Sequence, residues 1–162
     1  MKLKLLVTAL IATVGMNAFA LEGKGFKVLS ETIESSPGAV GGFVPQTPSS
    51  QPYVYADATA QNADGRTHEN IRLSGSHRFN VSNYTKEKQI YNYKYEINCD
   101  GMYFRKTDKI EVSPGGYASD SASSFLYVSF SQPGNWSINA ITEVTGESNG
   151  NHWDRATLRV EK

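Results

Sequence analysis

The chain has 162 residues, 16 Lys plus Arg against 16 Asp plus Glu, and one cysteine. Zero net charge and the lack of any basic block exclude the electrostatic footprint of a nucleic-acid binder and attachment to an anionic membrane surface. A single cysteine excludes an internal disulfide framework, and the length suits one domain with a core large enough to fold without one.

Lys2 and Lys4 precede an apolar run from Leu5 to Met16, and Ala18–Phe19–Ala20 forms a small-x-small cleavage site. The pattern predicts a bacterial-type signal peptide over residues 1–20, a mature chain beginning at Leu21 and a periplasmic or secreted location. The run is too short to cross a bilayer, so no transmembrane segment is expected in the mature chain. Residues 21–52 read as an N-terminal arm and linker. Phe26–Lys27–Val28–Leu29 has strand character, whereas Ser35 to Pro52 is rich in Pro, Gly and Ser. Proline removes donors and glycine adds chain entropy, which makes that stretch a tether. A short tethered strand can pair with any open sheet edge, so Phe26 and Val28 are candidate partner-binding residues. Residues 22–34 are expected to order on a partner.

Residues 53–162 read as the main domain. Tyr53 to Ala60 can alternate, and Asn62–Ala63–Asp64–Gly65 reads as a turn without the acid spacing of a calcium loop. Ile71 and Leu73 precede a Ser74–Gly75–Ser76 break, after which His77 to Ser82 alternates. The clearest strand is Tyr91 to Cys99. Tyr91, Tyr93, Tyr95, Ile97 and Cys99 fall on one face, and Asn92, Lys94, Glu96 and Asn98 on the other. One dry and one wet face belong to an antiparallel sheet, and Cys99 on the dry face is expected to be a buried, inert thiol. Asp100–Gly101 is a hairpin turn pair. Met102–Tyr103–Phe104 and Ile110–Glu111–Val112 flank a charged turn, and Tyr117 to Ser124 reads as loop. Phe125 to Phe130 is an apolar strand, Trp136 to Val144 a long one headed by a core-anchoring Trp136, and Ala156 to Val160 the last. No helical period occurs after the signal peptide.

Pro133–Gly134–Asn135–Trp136–Ser137–Ile138–Asn139–Ala140, a glycine-containing loop and Ala156–Thr157–Leu158–Arg159–Val160 together resemble the last hairpin of bacterial immunoglobulin-like modules. There the penultimate strand begins after a Pro-Gly turn and the last ends on small-x-Leu-x-Val. The resemblance implies an all-β, antiparallel immunoglobulin-like β-sandwich of about seven strands, without the cysteine pair of antibody domains. It implies a fold and no activity.

The chemistry is sparse. His68, His77 and His152 are far apart, with no metal-spaced pair, no nucleophile elbow and no phosphate loop. No cofactor, metal or catalytic residue is predicted. His77 reads as a strand residue near a sheet end. His152 and Trp153 sit together in a polar loop, where such folds collect binding residues, and are further candidate partner-binding residues. The expected function is a non-enzymatic protein-interaction module, a structural or accessory component of an envelope assembly such as a secretion system or pilus. Its partners would be other envelope proteins, met by strand addition. The tyrosines and Trp153 leave a carbohydrate- or peptidoglycan-binding module open, and a small secreted hydrolase is a third possibility.

Overall fold

A computed structural model describes residues 26–42 and 52–162; the signal-peptide and cleavage-site reading lies outside them. The described residues are mostly strand, joined by short turns, with no helix among them. Nine strands follow in order: β1 (Phe26–Gly42), β2 (Tyr53–Ala60), β3 (Ala63–Arg66), β4 (Ile71–Ser82), β5 (Gln89–Cys99), β6 (Met102–Val112), β7 (Gly116–Phe130), β8 (Gly134–Thr145) and β9 (Gly150–Glu161). They form a four-stranded sheet, β1-β7-β4-β2, and a five-stranded sheet, β3-β9-β8-β5-β6. Every pairing is antiparallel except that of β3 with β9.

β5 alternates as its sequence demands, with Tyr91, Tyr93, Tyr95, Ile97 and Cys99 all buried on one side. Asp100 and Gly101 both take positive φ, 46° and 90°, in the two-residue turn that pairs Cys99 with Met102. This is the geometry for which Asp-Gly is selected in hairpins.

Several expected breaks are strand. Ser74–Gly75–Ser76 continues β4 without interruption. Gly75 is needed there because a Cβ would lie 2.9 Å from Ser124 Oγ and 3.1 Å from Ala140 Cβ. Arg105 to Lys109 is the middle of β6, and its charges blunt a sheet edge. Tyr117 to Ser124 lies within the fifteen-residue β7. Gly116, Ala118, Asp120, Ala122 and Ser124 of that strand point inward. Small residues there leave room for the rings of Phe79, Tyr93 and Tyr95, so volume is conserved across the two sheets. Asn62 to Gly65 is no turn either; β3 runs parallel to β9, and glycine at 65 avoids Ile71 Cγ1, 2.5 Å from where a Cβ would lie.

Two hydrophobic clusters fill the interior, each drawing on both sheets. One is largely aliphatic and is built from Leu73, Leu126, Val128, Ile97, Ile138 and Leu158 among others. The other is aromatic, around Phe79, Tyr91, Tyr93 and Tyr95. Trp136 is partly buried at the margin of the aliphatic cluster and lies 4.2 Å from the Phe130 ring centroid to centroid. It closes that cluster rather than filling its centre.

The sheet edges are handled in two ways. The edge of β2 meets β9 through side chains in place of backbone rungs. Ala58 N–H donates to His152 Nδ1 at 3.0 Å, Ala60 N–H to Asp154 Oδ2 at 2.9 Å, and Thr157 N–H to Asn62 Oδ1 at 2.8 Å. β1 forms the opposite edge of the four-stranded sheet. The strand passes through residues 35–42, which proline and glycine marked as tether. Its register against β7 shifts between Val28 and Ser30 and between Ser36 and Ala39. Bulges let an irregular sequence keep its pairing, which is why local composition misjudged it.

Candidate functional site

Among the sequence candidates, Phe26 and Val28 both lie at the start of β1, opposite Phe130 and Val128 of β7. Val28 packs against the aliphatic cluster. The arm is therefore docked on its own domain over residues 26–34, where ordering on a partner was expected.

His152 and Trp153 are not in a loop. Both belong to β9, so as neighbours in a strand they face opposite ways and form no joint site. The imidazole of His152 is engaged with the backbone of Ala58 and lies 3.3 Å from Asp57 Oδ1. Trp153 points outward and is 59% exposed.

His77 sits in the middle of β4, not at a sheet end, and is only 2% exposed. Its Nε2 lies 2.8 Å from Ser124 Oγ and its Nδ1 3.1 Å from Thr142 Oγ1. The ring stacks on Tyr95, whose hydroxyl donates to Asp120 Oδ2 at 3.1 Å. Burial pulls the imidazole down to about 4, against a smaller raising effect from the backbone at Ile141. A histidine beside a serine hydroxyl is half of a nucleophile–base pair. Here, however, Ser124 is fully buried, and the second nitrogen meets a hydroxyl where an orienting carboxylate would stand. The group is a polar seam between the two hydrophobic clusters. Cys99 is likewise sealed; burial pushes its thiol up to about 12, with Asp100 adding to the shift. Such a thiol carries almost no thiolate at neutral pH. No group of three metal-ligating side chains occurs among the described residues.

Sequence reasoning missed the outer face of the five-stranded sheet. Arg155, Asn139, Asn98 and Tyr103 stand opposite one another across β9, β8, β5 and β6, and Trp153, Ile141, Glu96 and Arg105 form the next row. A relay connects them. Arg155 Nε donates to Asn139 Oδ1 at 3.1 Å, Asn139 Nδ2 to Asn98 Oδ1 at 2.8 Å, and Asn98 Nδ2 to Glu96 Oε1 at 3.0 Å. From the far side Arg105 Nε donates to Glu96 Oε2 at 2.9 Å. The ends dictate the direction. An ionised carboxylate only accepts and a guanidinium only donates, so both amides must turn their oxygens toward Arg155. The signal was present in the wet positions of β5, and Arg105 lies only nine residues from Glu96, but Asn139 lies 41 residues from Asn98, a separation that pattern reading does not bridge. Each end carries an arginine on an exposed ring: Arg155 lies 5.6 Å from the Trp153 centroid and Arg105 5.1 Å from that of Tyr103, which is 52% exposed.

No family model matches the chain, and no curated protein does. Among solved structures it is similar in part to a Northeast Structural Genomics Consortium target, SoR45, at 9% identity over 68% of this chain and 86% of that one, TM-score 0.34. The ASH/PapD-like domain of human CEP192 is 8% identical over 74% and 92%, TM-score 0.26. AggA, the major subunit of aggregative adherence fimbriae type I from Escherichia coli, is 10% identical over 68% and 95%, TM-score 0.30. At such scores these likenesses carry no argument for this chain.

Proposed function

We propose that the chain is an exported, non-enzymatic protein-interaction module of the bacterial envelope. In this reading it is an immunoglobulin-like sandwich that joins its partners in the periplasm or outside the cell by strand addition. The observation that carries the reading is β1. This N-terminal strand pairs on one side only, with β7. Of its described side chains only Val28 and Ile33 pack against the core, and both are partly buried. In this reading the strand leaves its own domain, and the β7 edge it vacates accepts an equivalent strand from a neighbour. The export signal in residues 1–20 supports the location.

Glu34 and Ser123 face each other across β1 and β7 and are both exposed. Co-expressed Glu34→Cys and Ser123→Cys chains should form a disulfide-linked heterodimer in an oxidising compartment, since one chain's β1 then lies on the other's β7. If only the double variant reacts, and within one chain, β1 is a fixed strand and the reading fails.

A further inference from the structure

We infer that the outer face of β9, β8, β5 and β6 is a binding site for a neutral oligosaccharide. This goes beyond strand addition and uses a different sheet. The inference starts from the combination of groups. Two exposed rings, Trp153 and Tyr103, bracket planar amides and guanidinium groups on adjoining strands. Flat aromatic faces stack on the C–H faces of sugar rings, while amide and guanidinium edges match pairs of neighbouring hydroxyls. Three inter-strand steps separate β9 from β6, roughly 14 Å at ordinary spacing, which is the reach of a short oligosaccharide and more than one ring needs.

The face is also built in advance. Asn98, Asn139, Glu96 and the two arginines each hold a neighbour, and Glu96 is only 6% exposed despite lying on the outward side. Side chains already fixed lose little freedom on binding, so their remaining hydrogen-bonding capacity is available at low entropic cost. A shallow cavity of about 470 Å³ opens beside the relay, lined by Asn98, Asn139, Asn135, Ser137 and Asp100 among others. Among the described residues the side chains of Asn135 and Ser137 have no hydrogen-bond partner, so donors and acceptors there are free for a ligand.

Charge decides the class of ligand. Glu96 is matched by Arg105, and Lys94 by Glu143 in the next row. With these charges paired the face carries no strong field of one sign to select a polyanion, and its polar lining does not suit a lipid.

The test uses chitotetraose, cellotetraose and maltotetraose against the mature protein. Binding is read from tryptophan emission and from side-chain amide resonances of Asn98 and Asn139. At least one sugar should give a saturable shift. Trp153→Ala and Tyr103→Ala should each weaken it about tenfold, the loss of one stacking contact, with unfolding midpoints unchanged. Two results overturn the inference: no response to any of the three sugars up to millimolar concentration, or binding untouched by both substitutions. The strand-exchange disulfide between Glu34→Cys and Ser123→Cys reports on the other sheet, so either reading can fail alone.

Discussion

The two faces of β5 obey one alternation and end as different kinds of surface. Inward, Tyr91, Tyr93, Tyr95, Ile97 and Cys99 are buried against both sheets, and what the face contributes is stability. Outward, Lys94, Glu96 and Asn98 are held by partners on β6 and β8, and what the face contributes is fixed geometry at the surface. Polar positions in a strand are therefore not simply solvated. Placed in register with Asn139, Arg155 and Arg105, they become an ordered array, at an energy cost that the inner face covers.

A deletion on the inner face should cost far more than one on the outer face. Ile97 is fully buried in the aliphatic cluster, so Ile97→Ala should cost about 3–4 kcal/mol in urea unfolding. A loss below about 1 kcal/mol would mean that the clusters are loosely packed.

Acid sharpens the same contrast by loading the interior. The folded state holds His77 at about 4, below the ordinary 6.5, so the unfolded chain takes up the proton first. The contribution is fully present above pH 6.5 and is lost as pH falls toward 4, by about 3 kcal/mol. Asp120 opposes it, because burial raises its carboxyl and so favours the folded state as pH falls. The comparison of wild type with His77→Asn isolates the histidine: the variant's stability should lose this slope between pH 6.5 and 4. An unchanged slope would show that the seam is already wet.

On the outer face, Glu96→Gln should cost about 1–2 kcal/mol although it conserves shape. A glutamine amide would set a donor against Asn98 Nδ2 or Arg105, both of which now donate to the carboxylate. Glu96→Ala at the same cost would show that the charge, not the pattern of donors, is what matters. The smallest expected effect has the opposite sign. The Tyr91 hydroxyl is buried without a hydrogen-bond partner among the described residues, and burial, with Glu147 adding, pushes the phenol up to about 12. Tyr91→Phe should therefore raise stability by about 1 kcal/mol. A drop instead would reveal a water bound to that oxygen.

Alternation by itself determined much of this protein. The inward set of β5, the Asp100–Gly101 turn, the burial of Cys99 and the inward row headed by Trp136 follow from period-two patterning and turn chemistry, which act over a few residues. The places where pattern reading failed share a cause. Ser74–Gly75–Ser76 is strand because β2 and β7 flank it, Tyr117 to Ser124 is strand because β1 and β4 flank it and its small residues face large rings, and residues 35–42 are strand because β7 offers them an edge. Each partner is distant in sequence. In the relay from Arg155 to Arg105 only Glu96, Asn98 and Arg105 are near one another in sequence; Asn139 is 41 residues from Asn98, and register across four strands brings the set together. Register is set by which sheet faces bury together, and no single strand contains that information.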